Sequence, residues 1–148
     1  MFKRLFLLKP VPLSPNLGLL VLRVLVFAML FAKHGTIKIF NFGQMAHGFP
    51  DPLHIGSVTT LAIAIFSDCI CSLLIVLGLA TRWAALFSLC NLFVAEVFVH
   101  HFAVMSWNDM GMGAEIILIF MAACITLICL GPGKFSVDAL IEGASEEQ

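Results

Sequence analysis

The chain has 148 residues, of which 61% are hydrophobic and 11% charged, and its formal net charge is −1. Soluble domains are about 45–50% apolar and about 25% charged, so no soluble fold could hide this much apolar surface. The few charges are scattered and form no basic tract, which excludes the electrostatic footprint of a nucleic-acid-binding protein.

Taken from the N-terminus, Met1-Phe2-Lys3-Arg4-Leu5-Phe6-Leu7-Leu8-Lys9-Pro10 begins like a signal peptide. Lys9 and Pro10 interrupt the apolar run before it reaches the usual length, so residues 1–16 are expected to be retained as a cytoplasmic or interfacial segment. A bilayer core of about 30 Å needs roughly 20 predominantly apolar residues in a helix. Four segments meet that requirement, at residues 17–34, 57–79, 83–102 and 112–130. Their ends carry helix punctuation. Ser14-Pro15 offers an N-cap followed by proline at the first helical position, Thr81 can cap the third span, and Gly131-Pro132-Gly133 stops the fourth.

Only Ala80, Thr81, Arg82 and their neighbours separate the second span from the third, which predicts a tight antiparallel hairpin. The connection over residues 35–56 is longer and carries Ile37, Ile39, Phe40, Phe42 and Phe49. It is expected to form a short interfacial or re-entrant piece across one mouth of the bundle, with its backbone covered by protein. The fold class predicted is therefore an all-α membrane protein, a four-helix antiparallel transmembrane bundle. A cytoplasmic N-terminus puts Lys3, Arg4, Lys9, Arg82 and Lys134 inside and Lys33 and Lys38 outside. That bias orients both termini toward the cytoplasm of a bacterial inner membrane, with Trp83 and Trp107 at opposite interfaces.

Ionisable residues inside the spans carry most of the functional information. Placing one near the bilayer centre costs about 2.5–3.5 kcal/mol on insertion scales, so such groups face the bundle interior and seek partners. Arg23, Asp68, Glu96 and Glu115 are the cases here, and Arg23 with Asp68 is the expected ion pair. Glu96 and His100 are four residues apart and share a helix face. His34 closes the first span on the same side, and Glu115 opens the fourth nearby. His34, Glu96, His100 and Glu115 are thus expected to converge beneath the long connection and Trp107 as a wet polar pocket. Imidazoles beside carboxylates serve both ligand capture and proton exchange. The same four side chains could instead hold a metal, although their spacing matches no compact motif such as HExxH. Equally, buried acids can act only as hydrogen-bond partners between helices. Ala84, Ser88, Asn91 and Ala95 make a small-residue seam suited to close helix packing. The five cysteines, Cys69, Cys71, Cys90, Cys124 and Cys129, lie in apolar runs and form no CxxC pair, which argues against dithiol chemistry.

In this order the residues resemble the DoxX family of small four-helix membrane proteins. The matching pieces are Leu22-Arg23, His34-Gly35 with Lys38, Gly48-Phe49 before proline, and an acid ten positions before Gly78. They continue with Thr81-Arg82 and Ala84-Ala85, Glu96 with His100, Gly113 with Glu115, and Gly131-Pro132-Gly133 leading to Ser136 and Asp138. The resemblance spans residues 17–138 and leaves 139–148 as a short acidic tail. One departure is that Asp68, Cys71 and Ser72 stand where the family usually carries glutamate followed by two glycines. The family takes its name from a subunit associated with a thiosulfate:quinone oxidoreductase. The resemblance therefore implies an accessory membrane component in a redox-linked or quinone-linked context, with a redox enzyme or a second copy as partner and the lipid bilayer as surroundings. It implies no free-standing enzyme. Arg23, His34, Asp68, Glu96, His100, Glu115 and Trp107 are the ligand-binding candidates, for a quinone or another apolar ligand. The competing functions are a purely structural partner and a proton-linked small-solute transporter. Four helices leave little room for the alternating access that a transporter needs.

Overall fold

The computed structural model of the chain describes residues 14–102 and 109–146. Four of its helices are long and apolar enough to cross a membrane. They are α1 (Pro15–Phe40), α3 (Ser57–Leu77), α4 (Thr81–His100) and α5 (Asp109–Leu130), the last crossing over Gly113–Leu130. The single turn α2 (Phe42–Met45) follows α1, and α6 (Val137–Glu146) ends the described chain. The expected N-terminal segment lies outside the described residues up to position 13, and so does Trp107.

Local chemistry sets most of the ends. Ser14 accepts a hydrogen bond from the Leu17 N–H at 3.3 Å with Pro15 at the first helical position, as the sequence predicts for α1. That helix runs six residues past the expected stop at His34, because Gly35 does not break it. A Cβ at Gly35 would come 2.5 Å from Cys69 Sγ and 2.9 Å from the Asp68 carbonyl, so glycine lets α1 and α3 approach closely. Residues Thr36–Phe40 extend α1, and α2 is the short helical piece left in the connection.

The α3–α4 hairpin is closed by Gly78 at φ +74°, where the Leu79 N–H bonds the Leu74 carbonyl at 2.9 Å and the Gly78 N–H bonds Ile75 at 3.1 Å. Thr81 was expected to cap α4, and the structure corrects this. The N-terminal residue of the turn is Ala80, which has no capping side chain. Asp138, far along the chain, does the work instead. Its carboxylate accepts from the Ala80 N–H at 2.7 Å, the Thr81 N–H at 3.0 Å and the Thr81 hydroxyl at 2.9 Å. The Asp138 N–H in turn donates to the Gly78 carbonyl at 2.8 Å. Residues 131–138 thereby form a strap under the bundle, tied to α1 through the Asn16 side chain, which accepts from the Lys134 N–H at 3.0 Å.

Inside, α4 packs along α5, and α1 and α3 close the bundle around Phe27, Leu30, Ile75, Ala85, Leu92, Phe120 and Leu127. Lipid tails are as apolar as these side chains, so close packing and polar contacts hold the helices together here. The small-residue seam of α4 supplies part of that closeness, since Ala84 and Ser88 are buried while Asn91 and Ala95 are half-buried.

Replacing Asp138 with alanine should lower the stability of the detergent-solubilised protein by about 1–2 kcal/mol, the usual cost of a lost helix cap. Asparagine, which keeps one acceptor, should cost less. Equal thermal unfolding of the wild type and Asp138→Ala would contradict the strap.

Candidate functional site

The polar side chains of the spans fall into two groups at opposite ends of the bundle. Arg23 belongs to the hairpin end. Its side chain is fully buried, one Nη donates to the Phe135 carbonyl, and the Asp138 carboxylate acts on it electrostatically. A Cβ at residue 78 would collide with the guanidinium, a second reason for glycine there.

The expected Arg23–Asp68 pair is not formed. Asp68 instead makes an ion pair with Lys38. Helical side chains lean toward the N-terminus of their own helix, which explains the exchange. In α1 this directs Arg23 toward the hairpin end and brings Lys38 back into the bundle. In the antiparallel α3 it directs Asp68 toward Lys38. The pair is sheltered, with the Asp68 side chain only 4% exposed and that of Lys38 19%.

A cavity of about 370 Å³ opens beside this pair at the end away from the hairpin. His34, Lys38 and His100 line it together with Asn91, Thr60 and a majority of apolar side chains, and Phe49, Pro50 and Pro52 of the long connection form one wall. The His34 ring meets Phe120 edge-on, with centroids 5.9 Å apart and planes at 83°. His34 is also within electrostatic reach of Lys38 and Asp68. Gly113 packs against the His100 ring, which a Cβ would approach to 2.6 Å.

Glu96 lies on the buried stripe of α4 and is fully inaccessible, with both carboxyl oxygens lacking a hydrogen-bond partner among the described residues. Its neighbours Leu92, Ala95 and His100 line the cavity, but Glu96 does not. Glu115 does not join the convergence expected of it. Its side chain is exposed, because the α5 residues that face inward at this level are Ala114 and Ile117, on either side of it. Among the described residues no group of three or more His, Cys, Asp or Glu could hold a metal ion, so His34, Glu96, His100 and Glu115 do not assemble as ligands.

The backbone marks the same positions. Four stretches wind as π-helix, at Arg23–Phe27, Leu30–Gly35, Phe66–Cys71 and Glu96–His100. Each holds one or more of the ionisable residues Arg23, His34, Asp68, Glu96 and His100. π-Helical turns are rare and concentrate at functional sites.

Four contributors escaped the sequence reasoning. Lys38 was assigned to an exterior loop, although its position four residues after His34 puts both on one helix face. Asp138 and the Phe135 carbonyl act over a separation that no local pattern records. Asp51, between Pro50 and Pro52, organises the wall of the cavity by accepting from the Ile55 N–H at 3.0 Å, the Gly56 N–H at 2.8 Å and the Thr60 hydroxyl at 3.0 Å. Desolvation raises the Asp51 carboxyl, but the bonds from Gly56, Thr60 and Ile55 and the charge of His54 outweigh it, leaving the group below its ordinary value.

Four apolar helices closed around a few ionisable side chains define a small multi-pass integral membrane protein, with the lipid bilayer as its surroundings. The family model of DoxX matches residues 18–101 of the 148, and the chain belongs to that family. The matched stretch contains Arg23, His34, Lys38, Asp68, Glu96 and His100 and stops short of α5. No curated protein and no solved structure matches the chain.

Two outcomes follow. Lys38→Ala should destabilise the protein by about 3 kcal/mol, since it strands a buried carboxylate, and the pair Lys38→Met with Asp68→Leu should recover most of the loss. Denaturant titration in mixed micelles measures both, and a neutral single variant would speak against the ion pair. The Asp51 carboxyl is lower in the folded protein than in the unfolded chain. Its contribution is therefore complete above the ordinary carboxylate range, about 3.9, and is lost as the pH falls through the lower folded value. Protection of the Gly56 amide against hydrogen exchange should follow that course and should lose its acid dependence in Asp51→Asn.

Proposed function

We propose that this DoxX-family protein is an accessory subunit or binding module in a redox-linked setting, and that its far-end cavity holds a small apolar ligand with a polar head, of the quinone type. The cavity carries the proposal. Its volume, about 370 Å³, falls within the range of roughly 300–1,000 Å³ typical of small-molecule sites, and apolar walls with a few polar groups are their usual lining. The imidazoles of His34 and His100 and the Lys38 ammonium can donate hydrogen bonds to a quinone carbonyl, while Asp68 balances the Lys38 charge. Of the residues proposed from sequence, His34 and His100 are direct contacts, Asp68 positions Lys38, and Glu96 is an acceptor one turn away. Arg23 belongs to the strap.

In this proposal the protein sits in a bacterial inner membrane with both termini in the cytoplasm. Support comes from the basic residues Arg82 and Lys134 at the hairpin end, together with Lys3, Arg4 and Lys9 in the sequence. Its partner is a redox enzyme or a second copy of the chain. A purely structural role is the alternative, favoured by the Lys38–Asp68 pair, which ties α1 to α3 whether or not a ligand is bound.

Titration of the purified protein with a short-chain quinone separates the two. Ligand binding predicts saturable uptake that weakens about tenfold in His34→Ala and in His100→Ala, corresponding to loss of one hydrogen bond worth about 1.4 kcal/mol. It also predicts unchanged affinity in Cys129→Ala, whose side chain is exposed. No saturable binding, or equal affinity in all variants, would leave the structural role.

A further inference from the structure

Two cavities meet at the hairpin end, away from the proposed quinone site. One is a polar cleft of about 580 Å³ at the mouth of the bundle, bordered by Arg82, Lys134, Asp138 and Glu142. The other is an apolar groove of about 480 Å³ between α3 and α4, walled by Phe66, Leu74, Phe87 and Cys90. They share Ala80 and Trp83, so the polar space passes directly into the apolar one.

From this continuity we infer that the hairpin end binds one zwitterionic aminophospholipid, its headgroup in the cleft and an acyl chain in the groove. The dimensions fit. Phe66 lies eleven residues from the end of α3 at Leu77, and Cys90 nine from the start of α4 at Thr81. At about 1.5 Å per residue the groove reaches about 14–16 Å into the membrane. That is half of a hydrocarbon core of about 30 Å, the depth of one leaflet. Trp83, 76% exposed, stands where cleft and groove join, the level at which indole rings collect in membrane proteins.

The headgroup follows from the charges. Exposed Arg82 and Lys134 can both engage a phosphate, and the arginine fork can do so through two parallel bonds. Asp138 is spent on the Ala80 and Thr81 amides. Glu142, on the exposed rim, is the acid left to receive a cation. A phosphate carrying an ammonium group satisfies both signs. A headgroup with hydroxyls alone brings the same phosphate but no cation for Glu142 to receive.

Native mass spectrometry of the delipidated full chain tests this with phosphatidylethanolamine and phosphatidylglycerol at equal concentration, and with glycerophosphoethanolamine as the headgroup without chains. Wild type should retain phosphatidylethanolamine at least threefold over phosphatidylglycerol and should not retain the chainless headgroup. Arg82→Gln should cut retention at least fivefold, Glu142→Gln should erase the preference between the two lipids, and Cys90→Trp, which fills the groove, should weaken both. Should Arg82→Gln not fold, the surface change Glu142→Gln decides alone. Equal retention of both lipids by wild type, a preference unchanged in Glu142→Gln, or full binding of the chainless headgroup would overturn the inference. None of these outcomes bears on quinone binding at the opposite end.

Discussion

Hydrocarbon offers no hydrogen bonds, so a charge deep within the spans is held where the protein itself can answer it. That constraint organises the whole bundle. Lys38 and Asp68 answer each other between α1 and α3. Arg23 donates to the Phe135 carbonyl of the strap that closes the hairpin end, within the electrostatic influence of Asp138. Glu96 is turned inward and fully buried on α4, between residues that line the cavity.

The polar groups also divide the molecule by task. At the hairpin end they join chain segments that are remote in sequence. Gly78, Ala80, Thr81, Ser136 and Asp138 form a locked corner under the bundle, and Arg23 reaches into it from α1. At the other end they surround space instead. His34, Lys38 and His100 face a cavity whose wall hangs on the hydrogen bonds of Asp51. The hairpin end is fastened by the strap, and the other end encloses the cavity lined by the two histidines. The π-helical turns serve both, because a locally widened helix re-aims a side chain without breaking the span.

The spans, the tight hairpin and the Ser14 cap were legible in the sequence because each depends on local composition or on residues a few positions apart. The unusual side chains were legible too, since histidines and acids inside apolar helices stand out. Pairing was not. Choosing between Arg23 and Lys38 as the partner of Asp68 requires the length of α1 and the lean of its side chains, and Gly35 resembled a stop. Glu115 carried the same chemical signal as Glu96, yet a rotation of about 100° per residue separates an inward position from an outward one, and an end estimated to a few residues cannot resolve it. The Asp138 cap could not be read near α4, because it lies 57 residues from Thr81, whose amide and hydroxyl it accepts from.

The deep ionisable side chains of the spans, Arg23, Asp68 and Glu96, face protein while exposed apolar ones face lipid, and α4 offers the most direct test. Nitroxide labels introduced one at a time over residues 89–100, on a background without native cysteines, report access to oxygen dissolved in the bilayer. High access is expected at Phe93 and Phe98, which are 50% and 47% exposed, and low access at Leu92 and Glu96, which are buried. Access at position 96 equal to that at 93 would place the carboxylate in lipid and contradict the arrangement described above.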